Sequence, residues 1–178
     1  MTRPKPFRIG VIADTHGLFD PAIERHFKGV DRIIHAGDIG DRSVIERLKN
    51  IAPVIAVAGN VDDEEPSEFP SETVVELAGY RIGVRHIVYE GGKLRKDAQA
   101  FLDRERPDLC IFGHTHQPKV ERFGETLLIN PGSAGPKRFK LPRGLGLLII
   151  NKQGVRPQLI QLDSAVSRRK VAEPAKSL

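Results

Sequence analysis

The chain has 178 residues and a formal net charge of +5, with 39% hydrophobic and 29% charged residues. This composition is typical of one globular domain. A single cysteine, Cys110, excludes an internal disulfide, and no apolar run approaches the ~20 residues of a membrane-spanning helix. Residues 1–7 lack the apolar stretch of a signal peptide, so we expect a cytoplasmic protein without a membrane partner.

The positive charge is concentrated at the carboxyl end. Residues 164–178 carry a net charge of +3, which leaves +2 for residues 1–163. Because apolar periodicity stops after Asp163, we expect residues 1–163 to form the domain and residues 164–178 to be a disordered basic tail. The nearly neutral body, with no Trp and two Tyr, lacks the basic and aromatic groove that nucleic-acid binding requires.

The first part of the chain alternates strands with helices. Asp20 and Pro21 are typical of an N-cap and a first helical residue, and Ser43 with Glu46 resembles a capping box that begins a second helix. This alternation predicts a largely parallel sheet with right-handed crossovers. The strands are predicted over residues 7–13, 32–36 and 53–58.

The later part of the chain is richer in strands. Ala78-Gly79 is typical of a hairpin turn between strands over 73–77 and 80–85, and a helix is predicted over 95–106. We therefore expect an α/β protein with one sheet built early and another built later, packed face to face with helices outside. Further strands are predicted over residues 108–112, 119–122, 126–130, 144–151 and 155–162.

Metal-binding side chains collect where the predicted strands end. The strand ends at one edge of an α/β sheet form its ligand crevice, so these side chains are expected to converge. Gly37, Gly59 and Gly113 each precede a candidate ligand and would permit sharp turns and close backbone approach. The candidate ligands are Asp14, His16, Asp38, Asn60, His86, His114 and His116.

The types of ligand indicate the metal and the reaction. Imidazole and carboxylate without thiolate suit Mn, Fe, Zn or Ni. A structural zinc needs only four ligands, so seven candidates favour two ions about 3.5–4 Å apart that share one carboxylate. Two divalent ions would bring four positive charges, of which Asp14, Asp38 and a hydroxide would offset three. A cationic site of this kind predicts hydrolysis of a phosphate ester.

The order Asp14-x-His16, Gly37-Asp38, Gly59-Asn60, His86 and Gly113-His-x-His116 resembles the calcineurin-like metallophosphoesterase family, and within it the small single-domain prokaryotic phosphodiesterases. The resemblance covers residues 7 to about 163. It implies a four-layer α/β/β/α sandwich of two mixed β-sheets with flanking helices. It also implies a phosphodiesterase in which a hydroxide bridging two divalent ions attacks phosphorus. Of the metals that suit these ligands, we expect Mn.

The resemblance further assigns a role to each candidate ligand. Asp38 would bridge the two ions, and Asn60 would also contact a phosphate oxygen. One ion would be held by Asp14, His16, Asp38 and His116, and the other by Asp38, Asn60, His86 and His114.

Two positions next to these ligands bear on catalysis. Many family members have a histidine after Gly-Asn that can protonate the leaving group, whereas this chain has Val61. Asp62 follows, and both a catalytic and a turn-stabilising interpretation are open. Loss of a general acid should cost ~10²–10⁴-fold on poor leaving groups. We therefore expect slow hydrolysis that is best on activated diesters.

Other side chains near the predicted edge have weaker signals. Ser133, Lys137 and Arg138 are candidates for substrate contacts, with a tight turn and a solvated loop as the alternative interpretation. His35 alternates away from the site and is interpreted as a supporting or packing residue, and His26 as a surface residue. Pocket walls are expected from the loops 63–71 and 87–95.

Several competing functions can be compared on the same sequence. It contains neither a Gly-x-x-x-x-Gly-Lys-Ser/Thr phosphate-binding loop nor a Gly-x-Ser-x-Gly elbow, which disfavours an NTPase and a serine hydrolase. A non-catalytic protein-binding scaffold of the same fold, like the retromer subunit, is the main alternative, and a nuclease is a weaker one. We expect a small phosphodiester or phosphoester substrate, and a homo-oligomer stays open.

Overall fold

The computed structural model describes residues 5–62, 68–138 and 140–163. The predicted tail and most of the loop 63–71 therefore lie outside the described residues. The helices are α1 (Ala22–His26), α2 (Arg42–Lys49) and α3 (Lys96–Glu105). The strands are β1 (Phe7–Ile12), β2 (Arg32–His35), β3 (Val54–Ala56), β4 (Glu72–Leu77), β5 (Tyr80–Arg85), β6 (Tyr89–Glu90), β7 (Lys93–Leu94), β8 (Leu109–Ile111), β9 (Lys119–Phe123), β10 (Thr126–Asn130), β11 (Gly144–Asn151) and β12 (Gly154–Gln161).

Two five-stranded mixed sheets form the centre of the protein. The first has the order β12-β11-β1-β2-β3, in which β1, β2 and β3 are parallel and the other pairs are antiparallel. The second has the order β4-β5-β8-β10-β9, in which β5, β8 and β10 are parallel. Each sheet therefore has a parallel part whose strands all end at one edge.

Three hydrophobic clusters separate four layers. Alternation along β1 shows the division, because Ile9 and Val11 belong to the cluster between the sheets whereas Ile12 belongs to the cluster under α1 and α2. On the far side of the second sheet, Phe101 and Leu102 of α3 pack on Cys110. The four-layer α/β/β/α sandwich implied by the resemblance is confirmed.

The prediction that the first strands of the chain form one sheet and the later strands form the other was wrong for the last two strands, β11 and β12. β11 returns to the first sheet and pairs antiparallel with β1, with Phe7 opposite Ile150, and β12 follows it at the edge. A short hairpin, β6–β7, also lies in the segment 87–95, which was predicted to be a loop. Both differences are strand pairings that amphipathic periodicity does not specify.

The predicted helix starts were displaced by one or two residues. The N-cap of α2 is Asp41, whose carboxylate accepts a hydrogen bond of 2.7 Å from the backbone N–H of Ser43, so Ser43 lies inside the helix. Helix α1 begins at Ala22, and its N–H donates to Asp20 Oδ1 at 2.8 Å. His26 is half-buried rather than at the surface. Among the described residues, no helix is both long and apolar enough to cross a bilayer.

Phe101 anchors the outer helix, so its truncation tests the packing of the fourth layer. The side chain is fully buried against the second sheet. Phe101→Ala should lower the free energy of unfolding by about 3–5 kcal/mol, because it removes buried apolar surface and leaves a cavity. Urea unfolding checks this, with the exposed Val120→Ala as control. A loss under about 1 kcal/mol would contradict the described packing.

Candidate metal centre

The predicted ligands follow the carboxyl ends of the parallel strands of both sheets. Because these ends meet at one edge, residues distant in sequence come together there. Asp14 is 0% exposed, and Asp38 and His86 are 3% exposed. The remaining side chains are less enclosed: His116 is nearly buried, His16 and His114 are half-buried, and Asn60 is exposed. The site therefore has a buried floor and an open mouth.

One group of side chains surrounds His116. The Nε2 atom of His116 lies 3.3 Å from Asp14 Oδ1 and 3.4 Å from His16 Nε2. The potential ligand atoms of these three residues all lie within 4.8 Å of one another. Asp38 adjoins this group, since its Oδ2 lies 3.6 Å from His16 Nε2.

A second group surrounds His86. The Nε2 atom of His86 lies 3.2 Å from Asp38 Oδ1 and 3.8 Å from Asp14 Oδ1. The potential ligand atoms of these three residues also lie within 4.8 Å of one another. At the mouth, His114 Nδ1 lies 3.2 Å from Asn60 Oδ1. Asp38 therefore presents one carboxylate oxygen to each group.

The ring of His86 is oriented for cation binding. Its Nδ1 lies 2.7 Å from the carbonyl oxygen of Ala36, which can only accept, so Nδ1 carries the proton. The Nε2 atom is buried and has no hydrogen-bond partner within the described part of the chain. When the ring is neutral, as metal binding requires, its Nε2 lone pair is directed between Asp14 and Asp38. A buried nitrogen of this kind beside two carboxylates fits a divalent cation.

The titration of the site also suits cation binding. Burial lowers the pKa of His86, but the Asp38 and Asp14 carboxylates outweigh burial and raise the pKa above its ordinary value. The pKa values of His16 and His114 are lowered, chiefly by burial. Burial raises the pKa of Asp38, but the His86 imidazole, 3.2 Å from Oδ1, helps bring the net pKa below the ordinary value. The imidazolium of His86 offsets carboxylate charge in the metal-free site, and a metal would displace that proton.

Two glycines allow these groups to approach one another. A Cβ atom at Gly59 would collide with the backbone nitrogen and Oδ1 of Asp38. A Cβ atom at Gly113 would lie 2.7 Å from Asp14 Oδ2. The predicted close approach of the backbone at these glycines is confirmed.

Backbone strain is concentrated in the same residues. Among the described residues, seven other than glycine have a positive φ, and five of these are predicted ligands. Such conformations cost about 1 kcal/mol or more each and persist where the surroundings determine them. Hydrogen bonds from Asp14 N to Gly37 O (2.9 Å) and from His16 N to Asp38 O (3.0 Å) supply part of that determination. The five are Asp14, His16, Asp38, His114 and His116.

Asp62 accepts hydrogen bonds from backbone N–H groups and belongs to neither group of predicted ligands. Its Oδ2 accepts from Gly59 N at 2.8 Å and from Ile39 N at 3.0 Å, and its Oδ1 accepts from Gly40 N at 2.9 Å. These bonds join the loop after β2 to the loop after β3. The geometry favours the turn-stabilising interpretation of Asp62 over the catalytic one.

His35 joins two ligand-bearing loops through a single chain of hydrogen bonds. Its Nδ1 accepts from Gly37 N at 3.2 Å, so Nε2 carries the proton and donates to Thr15 Oγ1 at 2.9 Å. The Thr15 hydroxyl then donates to Ile39 O at 3.0 Å. Thr15 lies between two predicted ligands but was not singled out in the sequence, because a buried hydroxyl has no distinctive pattern. The supporting position predicted for His35 agrees with this geometry.

The weaker substrate candidates lie in different environments. Ser133 is buried, and its hydroxyl donates to Asp14 O at 3.0 Å, so it supports the loop after β1. Lys137 and Arg138 are exposed. The charge of Arg138 is close enough to contribute to lowering the pKa of His16. Arg143 of the same segment is instead largely buried, and forms an ion pair of 2.9 Å with Asp20.

The neutral, buried state of His35 predicts a loss of stability in mild acid. Burial lowers the pKa of His35 from 6.5 to about 4. The folded state therefore binds fewer protons than the unfolded state, and stability is full above pH 6.5 and declines as the pH falls toward 4. For metal-free protein, this should remove about 2 kcal/mol between pH 7 and pH 5.

Urea unfolding at both pH values checks this, with His35→Gln as the reference that cannot titrate. The wild-type loss should exceed that of the variant. Equal losses in the two proteins would contradict a neutral His35.

The family model of the calcineurin-like phosphoesterase superfamily domain matches residues 7–153. The chain is 38% identical over 156 residues to a probable metallophosphoesterase of Methanocaldococcus jannaschii, covering 81% of this chain and 77% of that protein. A solved archaeal phosphodiesterase is 25% identical, with a TM-score of 0.68, covering 86% of this chain and 100% of that one. Vacuolar protein sorting 29 of Cryptosporidium parvum has a TM-score of 0.69 at 18% identity, covering 88% and 98%, and shows the fold alone.

These similarities confirm the predicted family and, with it, the enzyme class of metal-dependent phosphoric ester hydrolases. They are consistent with the two mixed sheets and with the cluster of carboxylates and imidazoles at their shared edge. Because the family model matches most of the length of this chain, the chain belongs to the calcineurin-like phosphoesterase superfamily.

Proposed function

We propose that this chain is a phosphodiesterase that binds two divalent ions at the shared strand edge and hydrolyses a small phosphate diester. The observation that carries the proposal is the position of Asp38. Its Oδ2 lies 3.6 Å from His16 Nε2 and its Oδ1 lies 3.2 Å from His86 Nε2. One buried carboxylate can therefore serve two ions.

The ligands divide into two sets on this basis. Nitrogen and oxygen donors without thiolate suit Mn, which we prefer, and also Fe, Zn or Ni. When bound, two such ions supply a hydroxide nucleophile at neutral pH and polarise the phosphoryl oxygens. The first set is Asp14, His16, Asp38 and His116, and the second is Asp38, Asn60, His86 and His114.

The protein side chains supply charge, orientation and substrate contact. Asp14 and Asp38 offset part of the metal charge but leave the site attractive to an anion. Hydrogen bonding to Ala36 holds the His86 ring in one tautomer. Asn60 lies at the exposed mouth with Oδ1 toward His114, so its amide N–H groups can donate to a phosphate oxygen. Arg138 adds positive charge near His16 and favours approach of an anionic ester.

Of the two described residues that follow Asn60, neither has a side chain placed to protonate a poor leaving group. Val61 is 46% exposed and apolar, and only its backbone N–H contacts the site, donating to Asp38 Oδ1 at 3.1 Å. Asp62 is occupied by three backbone donors. Aryl esters, whose leaving groups need no proton, are therefore the substrates we propose.

The scaffold alternative is less well supported by the site. A protein that only binds partners has no use for two buried carboxylates, an imidazole held in one tautomer and strained ligand conformations. The nuclease alternative is also less well supported: among the described residues, the exposed cation that acts on His16 is Arg138, whereas Arg85 and Arg95 beside Asn60 are paired with Asp97, and these charges do not make an extended basic groove. A small substrate, rather than a polymer, is the proposed partner.

Hydrolysis of an aryl phosphodiester tests the proposal through Asp38. With Mn²⁺, wild-type protein should cleave bis(4-nitrophenyl) phosphate faster than 4-nitrophenyl phosphate. Without metal, it should cleave neither ester at an appreciable rate. Asp38→Asn should lower kcat/KM by about 10²-fold or more, because the shared ligand loses charge and one oxygen donor. Asp103→Asn, on the exposed face of α3, is the matched control and should keep wild-type rates.

Activity that is unaffected by Asp38→Asn would contradict the shared-ligand assignment. Faster cleavage of alkyl monoesters than of aryl diesters would contradict the proposed substrate class.

Asp62→Asn separates the two roles considered for this carboxylate. As a turn-stabilising residue, it should lower the free energy of unfolding by about 1–3 kcal/mol, because an amide cannot satisfy the same three donors. The pH–rate profile and the ratio of aryl to alkyl ester rates should keep their wild-type form. A ~10²–10⁴-fold decrease in kcat/KM for alkyl esters but not for aryl esters, together with loss of the alkaline limb of the pH–rate profile, would identify Asp62 as a general acid.

A further inference from the structure

A cleft of about 360 Å³ is lined in part by His114, one of the proposed metal ligands. Its volume is roughly ten times the ~30 Å³ occupied by one water molecule in the liquid, so it is larger than a phosphate oxygen or a methyl group needs. His114 is half-buried between the cleft and Asn60. A substituent on a phosphate bound at the metal groups can therefore reach the cleft directly.

The walls of the cleft suit a ring. Phe112 is fully buried and closes the floor, and its ring centroid lies 5.7 Å from that of Tyr89. At Gly91 and Gly92, the tip of the β6–β7 hairpin, a Cβ atom would have no described atom within 4 Å, so the glycines leave open space there. Gln117 is exposed and also lines the cleft.

The two charged side chains that line the cleft, Glu90 and Lys119, are each paired with a neighbouring residue. Lys119 Nζ lies 2.9 Å from Glu121 Oε1 and 4.3 Å from the ring centroid of Tyr89. Glu90 on the hairpin forms an ion pair of 2.9 Å with Arg95. Because each charge already has a partner, the cleft offers no excess cation to a second phosphate. Its chemistry favours an uncharged group with an apolar body.

A second cleft on the other side of Asn60 is a weaker candidate. It is about 170 Å³ and is lined by Arg95 and Asp97, which form an ion pair of 2.9 Å. Arg85 in the same wall is held by Asp97 at 2.8 Å. This smaller cleft has charged walls and no Phe or Tyr among its lining residues, so a ring is better accommodated beside His114.

We infer that the cleft between the β6–β7 hairpin and Gln117 binds the ester group that the diester retains, and that it favours an uncharged aromatic ring there. This inference rests on the proposed phosphodiesterase function and specifies its substrate class. The substrate is a phosphodiester with one ring-bearing ester group, and specificity residues are Tyr89 and Gln117.

Two substrates with the same leaving group test this selectively. Phenyl 4-nitrophenyl phosphate and methyl 4-nitrophenyl phosphate differ only in the retained group. Wild-type protein with Mn²⁺ should prefer the phenyl ester by about tenfold in kcat/KM. Gln117→Trp, which fills the cleft, and Tyr89→Ala, which removes its aromatic wall, should each bring this ratio near unity. Gln158→Trp on exposed β12 is the matched control and should keep the wild-type ratio.

Binding gives a readout that does not depend on turnover. By calorimetry, diphenyl phosphate should bind wild-type protein more tightly than dimethyl phosphate, and both cleft variants should reduce that difference. Hydrolysis of both esters with a ratio near unity, or a ratio unchanged in both variants, would overturn the inference and leave the phosphodiesterase function standing. Equal losses on both esters would assign the cleft to the leaving group and overturn it. Absence of turnover with every divalent metal would overturn the proposed function itself.

Discussion

Two buried carboxylates at the ends of neighbouring parallel strands determine most of the architecture of the site. Asp14 and Asp38 have almost no exposed surface, yet a buried anion costs several kcal/mol unless it is paired. Backbone N–H groups provide part of the compensation, from His114 to Asp14 at 3.1 Å and from Val61 to Asp38 at 3.1 Å. Imidazoles supply the rest in the metal-free protein, and divalent cations would supply it more completely.

The surrounding structure holds these charges in place at a cost to local stability. Five of the proposed ligands have positive φ, a strain that a chain selected for stability alone would avoid. A series of hydrogen bonds links Gly37, His35 and Thr15, and three backbone N–H groups donate to Asp62. These hydrogen bonds hold the loops in this form. Ser133 braces the loop of Asp14 from the other side. Residues without contact to substrate thus maintain the geometry.

The convergence of the ligands could be predicted from the sequence because it follows from local rules. Each predicted ligand lies within five residues of the end of a strand, and parallel strands end at one edge. The four-layer arrangement followed from the family resemblance. The return of β11 to pair with β1 could not be predicted, because pairing across more than 130 residues depends on which edge of the finished sheet is free. Sequence periodicity carries no information about that edge.

The finer roles within the site also required the structure. Asp62 has the same sequence signal whether it faces a substrate or three backbone N–H groups. The N-cap of α2 is Asp41 rather than the predicted Ser43, and both residue types are common N-caps, so residue type alone did not distinguish them. Backbone strain at His16 or His114 leaves no trace in composition. Side-chain orientation, rather than residue type, separates these alternatives.

The number of metal ions bound per chain tests the central claim most directly. Metal-free protein is dialysed against Mn²⁺ and its bound metal is measured by elemental analysis, for wild type and for Asp38→Asn. The proposed shared carboxylate predicts two ions per wild-type chain and fewer than two in the variant. One ion or none in the wild type, or two ions unaffected by Asp38→Asn, would contradict a dinuclear site built around this carboxylate.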